Sequence, residues 1–148
     1  MLVYFSHIPG LSPVLCLGET LEEYEAGLNQ EVCAIQLLKD LKEVTPEEMS
    51  QVVIAYEPVW AIGTGLVCPA DVAQDVHAFI RSVVRKKYGQ VIADEVLIQY
   101  GGSVKPDNVK EIMSMPDIDG CLVGGASLAA ESFASIVNYQ SLNENVVQ

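Results

Sequence analysis

A chain of 148 residues with 20 acidic against 8 basic side chains has a formal net charge of -12 and excludes a nucleic-acid grip built on bulk positive charge. Half of the residues are apolar and only 19% are charged, the composition of a core-forming globular chain and not of a disordered one. Length predicts one domain over 1–148, and the acidity serves solubility, so an anionic ligand would need a locally positive pocket.

Residues 1–9, Met1 to Pro9, are uncharged and form too short an apolar run for a secretory signal. No stretch approaches the ~18 apolar residues of a membrane span. A soluble protein of the cytoplasm, or of a plastid, is expected, with no membrane partner. The run Val14-Leu15-Cys16-Leu17 lacks polar alternation and predicts a strand buried on both faces. Thr20-Leu21-Glu22-Glu23 then fits a capping box, and Ala34, Leu37, Leu38 and Leu41 supply an amphipathic helical face. Val52 to Tyr56 predicts a second buried strand. A long helix follows, carrying Val72, Val76, Ile80 and Val83/Val84, started by Pro69 and Asp71 and stopped by Lys86-Lys87-Tyr88-Gly89. Val96 to Tyr100 predicts a third strand. Pro106-Asp107-Asn108 opens a helix with Val109, Ile112 and Met113, Cys121-Leu122-Val123 a fourth strand, and Leu128, Phe133, Ile136 and Val137 a last helix. Residues 140–148 read as a frayed polar tail. Cys16, Cys33, Cys68 and Cys121 lie far apart without a C-x-x-C pair or a nearby histidine, so they read as buried reduced thiols and no metal site is expected.

Four repeats of strand and helix demand a parallel sheet with right-handed crossovers, in an open doubly wound sheet or in part of a closed barrel. A (β/α)8 barrel uses about 250 residues, so four units use roughly 125. The predicted fold class is therefore α/β, a parallel barrel present as four β-α units.

In such folds the reactive groups follow the strands' carboxyl ends. Those positions hold Gly18-Glu19, Glu57-Pro58, Gly101-Gly102-Ser103 and Gly124-Gly125-Ala126-Ser127. A single glycine pair would be an ordinary turn. Two of them, each between a strand and a helix, are better explained by backbone N–H groups approaching an anion. Glu57 stands directly after an apolar strand, and the loop behind it, Pro58-Val59-Trp60-Ala61-Ile62-Gly63-Thr64-Gly65, is apolar where a surface connection would be polar. That pattern suits a lid that closes beside a carboxylate and excludes water.

Ala55-Tyr-Glu-Pro-Val-Trp-Ala-Ile-Gly-Thr-Gly65 resembles the catalytic-glutamate and lid signature of the triose-phosphate isomerase family. Pro13-Val-Leu-Cys-Leu-Gly-Glu19, Ile98-Gln-Tyr-Gly-Gly-Ser-Val104 and Asp119-Gly-Cys-Leu-Val-Gly-Gly-Ala-Ser-Leu128 match in the same order. The resemblance covers about 10–139 and maps onto the last four β-α units of that barrel. It implies that Glu57 abstracts the proton beside the carbonyl of a triose phosphate, and that the N–H groups of Gly63, Ser103, Gly124 and Gly125 hold the phosphate. Ile62 and Leu122 would press on Glu57 and keep water from it, Glu19 would accept from the Trp60 indole, and Tyr100 would brace the closed lid. The family needs no metal or organic cofactor and forms homodimers, although its main dimer loop lies in units not matched here.

The resemblance also implies an Asn-x-Lys and a strand-end His that polarise the substrate carbonyl, and these 148 residues contain neither. His7 precedes the first strand and His77 lies within the long helix, where a surface or half-buried side chain is expected. Arg81, Arg85, Lys86 and Lys87 read as a solvated face, and Leu66 and Val67 make the lid's hinge apolar. Met1 to Pro9 departs from the charged helix that the family carries ahead of this strand. The isolated chain is therefore expected to be weakly active or inactive. The alternative is a non-catalytic half-barrel that binds phosphate ligands or self-associates through its open edges. A phosphate-binding barrel of another isomerase or lyase would explain the glycine loops but not Glu57 with its lid.

Overall fold

The computed structural model describes residues 11–141. Four strands, β1 (Val14–Leu17), β2 (Val53–Tyr56), β3 (Ile98–Tyr100) and β4 (Gly120–Cys121), form one parallel sheet in chain order. Among the described residues seven helices accompany them: α1 (Leu21–Glu25), α2 (Asn29–Asp40) and α3 (Pro46–Met49) after β1, α4 (Ala70–Tyr88) and α5 (Gln90–Glu95) after β2, α6 (Val109–Ile112) after β3, and α7 (Ala130–Val137) after β4. Sequential parallel pairing with helical crossovers is the arrangement of four consecutive units of a (β/α) barrel.

Local chemistry sets several boundaries. Thr20 caps α1 reciprocally: its backbone N–H donates to the Glu23 carboxylate at 2.8 Å, and its hydroxyl accepts from the Glu23 N–H at 3.4 Å. Thr45 and Glu48 repeat that capping box on α3, a one-turn helix that the hydrophobic periodicity does not reveal. Pro69 caps α4, three cations occupy its last turn, and it stops at Gly89, as predicted.

The strands are shorter than the apolar runs. Val96 ends α5 by donating to the Ile92 carbonyl at 2.9 Å, so β3 begins at Ile98. The fourth strand lies at Gly120–Cys121 and not Cys121–Val123, because Leu122 makes the last ladder bond, to the Tyr100 carbonyl at 2.9 Å. Burial on both faces also fails at the edge: β1 alternates, with Leu15 and Leu17 buried but Val14 46% exposed and Cys16 exposed. Leu15, Leu17, Ile54, Tyr56, Ile98 and Tyr100 form the core with Cys33, Leu37 and Leu41 of the α2 region and Ala73, Val76, Ile80 and Val84 of α4. The opposite face is open to solvent at Val14, Cys16 and Leu97. Leu38, expected on the buried face of α2, is exposed, and its place is taken by Cys33. Of the apolar residues expected in the last helix, only Ile136 is buried; Leu128 lies in a preceding 3-10 turn and is 89% exposed. Cys33 and Cys68 are buried free thiols as expected, whereas Cys121 is half-buried.

Two α4 residues overturn expectations: His77, expected at the surface or half-buried, and Arg81, expected on a solvated face. His77 is fully buried, with its ring edge-on to Tyr56 and Nδ1 2.7 Å from the Ala73 carbonyl, so Nδ1 carries the proton and donates. Burial lowers its pKa and keeps it neutral. Arg81 is also buried. Its guanidinium meets Asp117 at 2.8 Å and Asp119 at 2.7 Å, and donates to the carbonyls of Ala93 and Val96 at 2.8 and 3.1 Å. Asp119 in turn accepts from the Ile98 N–H at 2.8 Å, so one cation ties α4, the end of α5, β3 and the lead into β4 together. Arg81→Met is expected to lower unfolding stability by about 2–4 kcal/mol, since two partly exposed carboxylates and three carbonyls, those of Ala93, Val96 and Asp117, lose their donor. The midpoint of a urea titration followed by circular dichroism measures it.

Candidate active site

Strand parity builds the site. Side chains alternate along a strand, so Glu57, two residues after Ala55, projects from the open face and not into the helix-packed core. The register extends one step past the strands: the Glu57 N–H donates to the Leu17 carbonyl at 2.8 Å, and the Gly101 N–H to that of Tyr56 at 2.8 Å. Gly18, Glu57, Gly101 and Leu122 therefore form one row across the sheet's carboxyl end. Glycine on both sides of Glu57 is a steric requirement. A Cβ on Gly18 would overlap the Glu57 carbonyl oxygen, and one on Gly101 would stand 2.5 Å from the Glu57 Cγ. The Gln36 side chain clamps Gly18 from behind, accepting from its N–H at 2.9 Å and donating to its carbonyl at 3.0 Å.

One row below, Cys16 reaches the carboxylate of Glu57. Partial burial, the hydrogen bond to Glu57 and the charge of Glu57 push the Cys16 thiol up to about 11, so at neutral pH it is protonated and donates. The sequence treats Cys16 as one of four inert buried thiols; only strand register shows it beneath Glu57.

The loop after Glu57 is anchored at its base and open at its tip. Trp60, in a 3-10 turn over Val59–Ala61, is buried; its indole donates to Glu19 Oε1 at 2.7 Å and its ring stacks on Tyr24 at 4.4 Å. Glu19 is fully buried and also accepts from the Tyr56 hydroxyl at 3.1 Å, so a buried carboxylate is held by two donors. Burial and the neighbouring Glu19 raise the Tyr56 pKa, which keeps that donor in place. At the tip Ile62 is 46% exposed, and Gly63 and Gly65 have φ of 68° and 84°. The Tyr100 ring is buried below the site, its hydroxyl against Gly102 and Cys68, and burial raises its pKa.

A cleft of about 580 Å³ opens above Glu57. Ala61, Ile62, Gly63 and Gly65 line one side, Gly101 to Lys105 a second, and Leu122 to Ala126 a third. The structure thus brings Glu57, Ile62, Gly63, Ser103, Leu122, Gly124 and Gly125 to one cleft, and places Glu19, Trp60 and Tyr100 in the packing that supports it. Among the described residues, none of the backbone N–H groups of Gly63, Ser103, Gly124 and Gly125 has a hydrogen-bond acceptor. Four free donors around one cleft suit an anion. Lys105 also lines it, a cation that the reading of strand ends passes over because it lies four residues beyond the last glycine-row position.

The family model described as triosephosphate isomerase matches residues 4–140. The chain belongs to the triosephosphate isomerase family. It is 59% identical over 128 residues to a protein of Carboxydothermus hydrogenoformans named triosephosphate isomerase, covering 86% of this chain and 51% of that one. It is 58% identical over 129 residues to one of the same name from Citrifermentans bemidjiense, covering 87% and 51%. With the Chloroherpeton thalassium triosephosphate isomerase it shares 54% identity over 127 residues, covering 86% and 50%. The chain spans about half the length of the curated relatives it matches. Triosephosphate isomerase family membership accounts for the parallel sheet, whose four strands are half the number that closes a barrel. Among the described residues no helix is long and apolar enough to cross a membrane.

Proposed function

We propose that this chain carries the base and the phosphate site of a triose-phosphate isomerase, which interconverts glyceraldehyde 3-phosphate and dihydroxyacetone phosphate in the cytoplasm. The observation that carries the reading is the shared cleft, with the Glu57 carboxylate on one wall and the unfilled N–H groups of Gly63, Ser103, Gly124 and Gly125 on the others. The donors hold the phosphate, fixing the three-carbon substrate so that a carbon-bound proton lies within reach of Glu57. The carboxylate takes that proton, an enediolate forms, and the proton returns to the neighbouring carbon. Gly63 moves with the tip of the lid, so phosphate binding and lid closure are one event; Ile62 and Leu122 then cover Glu57. The Trp60 to Glu19 hydrogen bond keeps the lid's base fixed while its tip moves, and the Tyr100 hydroxyl braces the closed form. Pairing of two chains belongs to the same reading.

A chimera tests it. Residues 11–141 are joined in frame to the part of the Carboxydothermus relative that they do not match, and conversion of glyceraldehyde 3-phosphate is followed. Turnover supports the reading; a folded, phosphate-binding chimera without turnover refutes it. In the same chimera Gly101→Ala is expected to lower kcat by roughly 100-fold while leaving phosphate affinity within about twofold, because the new methyl displaces the Glu57 side chain without touching the free donors.

A further inference from the structure

The four N–H donors are neutral dipoles, set in a protein whose net charge of -12 repels a dianion at long range. Of the eight Lys and Arg residues in the chain, Lys105 alone lines the cleft. Arg81 is consumed by Asp117 and Asp119 at the amino end of β3 and β4, away from the cleft, and the remaining cations lie off the cleft. We propose that Lys105 is an anion-binding residue of this site, drawing the substrate's phosphate toward the donors of Ser103, Gly124 and Gly125 and strengthening its hold there. The proposal rests on the reading of the cleft as a phosphate site.

Two further features point the same way. Among the described residues Lys105 has no ion-pair partner, so its ammonium is not committed to a carboxylate. Its backbone is committed: the Lys105 N–H donates to Asn108 Oδ1 at 2.8 Å, and the Asn108 side-chain amide donates to the Ser103 carbonyl at 2.8 Å. One asparagine thus holds the backbone of Ser103, which carries a free N–H, and the backbone of Lys105 in a single turn, and phosphate binding need not order that loop. An ammonium on a flexible stem acts as a point charge without fixed geometry. It therefore adds attraction while leaving orientation to the N–H groups. Because Lys105 is exposed, its contribution is screened by salt.

Binding of inorganic phosphate to the 148-residue chain is measured by calorimetry at low and high ionic strength, for the parent, Lys105→Met and Lys110→Met. Lys110 is the control, since its loss changes the net charge equally but it does not line the cleft. At low salt Lys105→Met is expected to weaken phosphate binding about three- to tenfold and to flatten its salt dependence, while Lys110→Met changes affinity less than about 1.5-fold. Lys105→Arg should retain most of the affinity. Equal phosphate affinity in the parent and Lys105→Met, or equal losses in the two methionine variants, would overturn the role of Lys105 and leave the backbone site standing. Absence of phosphate binding by the parent would overturn the phosphate site itself, and this proposal with it.

Discussion

Replacing Glu57 with glutamine in the chimera should lower kcat about 1000-fold and leave the affinity for inorganic phosphate unchanged. Glutamine keeps the length and shape of the side chain between Gly18 and Gly101, so the row across the sheet and the cleft walls survive. What it loses is the lone pair that accepts a proton, and a positioned general base is worth roughly 100- to 10,000-fold. The expected loss corresponds to about 4 kcal/mol of barrier. Unchanged phosphate binding is the informative half of the result, because the proposed anion site is made of backbone donors on other loops. If kcat fell by less than tenfold in a folded variant, some other group would have to be taking the proton.

Much of this architecture is legible in the sequence, for physical reasons that also mark the limits. Val14 to Leu17 stands out because Pro13 and Gly18 bracket an apolar run, and α4 because Pro69 and Gly89 punctuate it. The candidate site was legible for a related reason: strand-end glycines and a carboxylate facing an apolar loop are local patterns. Contacts made across the sheet were not. Cys16 and Glu57 lie far apart in the chain and meet only through the register of β1 and β2. His77 and Arg81 carry polar side chains that by composition belong at the surface. They are buried because Ala73, Asp117 and Asp119 supply partners, and nothing in the order of residues announces those pairings. The apolar residues of α7 err in the other direction, since periodicity shows a face without showing what covers it. The paired Thr45 and Glu48 were a readable signal, lost because the helix they cap has one turn.

A polypeptide made of these 148 residues alone should isomerise glyceraldehyde 3-phosphate at least about 10,000-fold more slowly than the chimera, while still binding phosphate. On the proposed reading, proton abstraction by Glu57 would push negative charge onto the substrate carbonyl oxygen, and that charge would need a donor on the opposite side of the cleft. Among the described residues none is available. Lys105 rises from the Gly101 to Lys105 loop, whose backbone Asn108 holds, and on the proposed reading its ammonium serves the phosphate. His77 is sealed into the helix-packed core against Tyr56, with Nδ1 donating to Ala73. Loss of one oxyanion donor costs about 2.7–4 kcal/mol, so two missing donors would cost roughly 5–8 kcal/mol if their effects added. Such effects fall short of additivity when the groups act together, so the lower end sets the expectation. The open sheet face adds to the deficit, because water reaching Glu57 from the side of Val14 and Cys16 weakens the field that a closed site would maintain. Single-turnover measurements on the two proteins at equal phosphate occupancy separate chemistry from binding. Should the isolated polypeptide come within tenfold of the chimera, the carbonyl would have to be polarised from within these residues, and the assignment of Lys105 to the phosphate would be the first to fall.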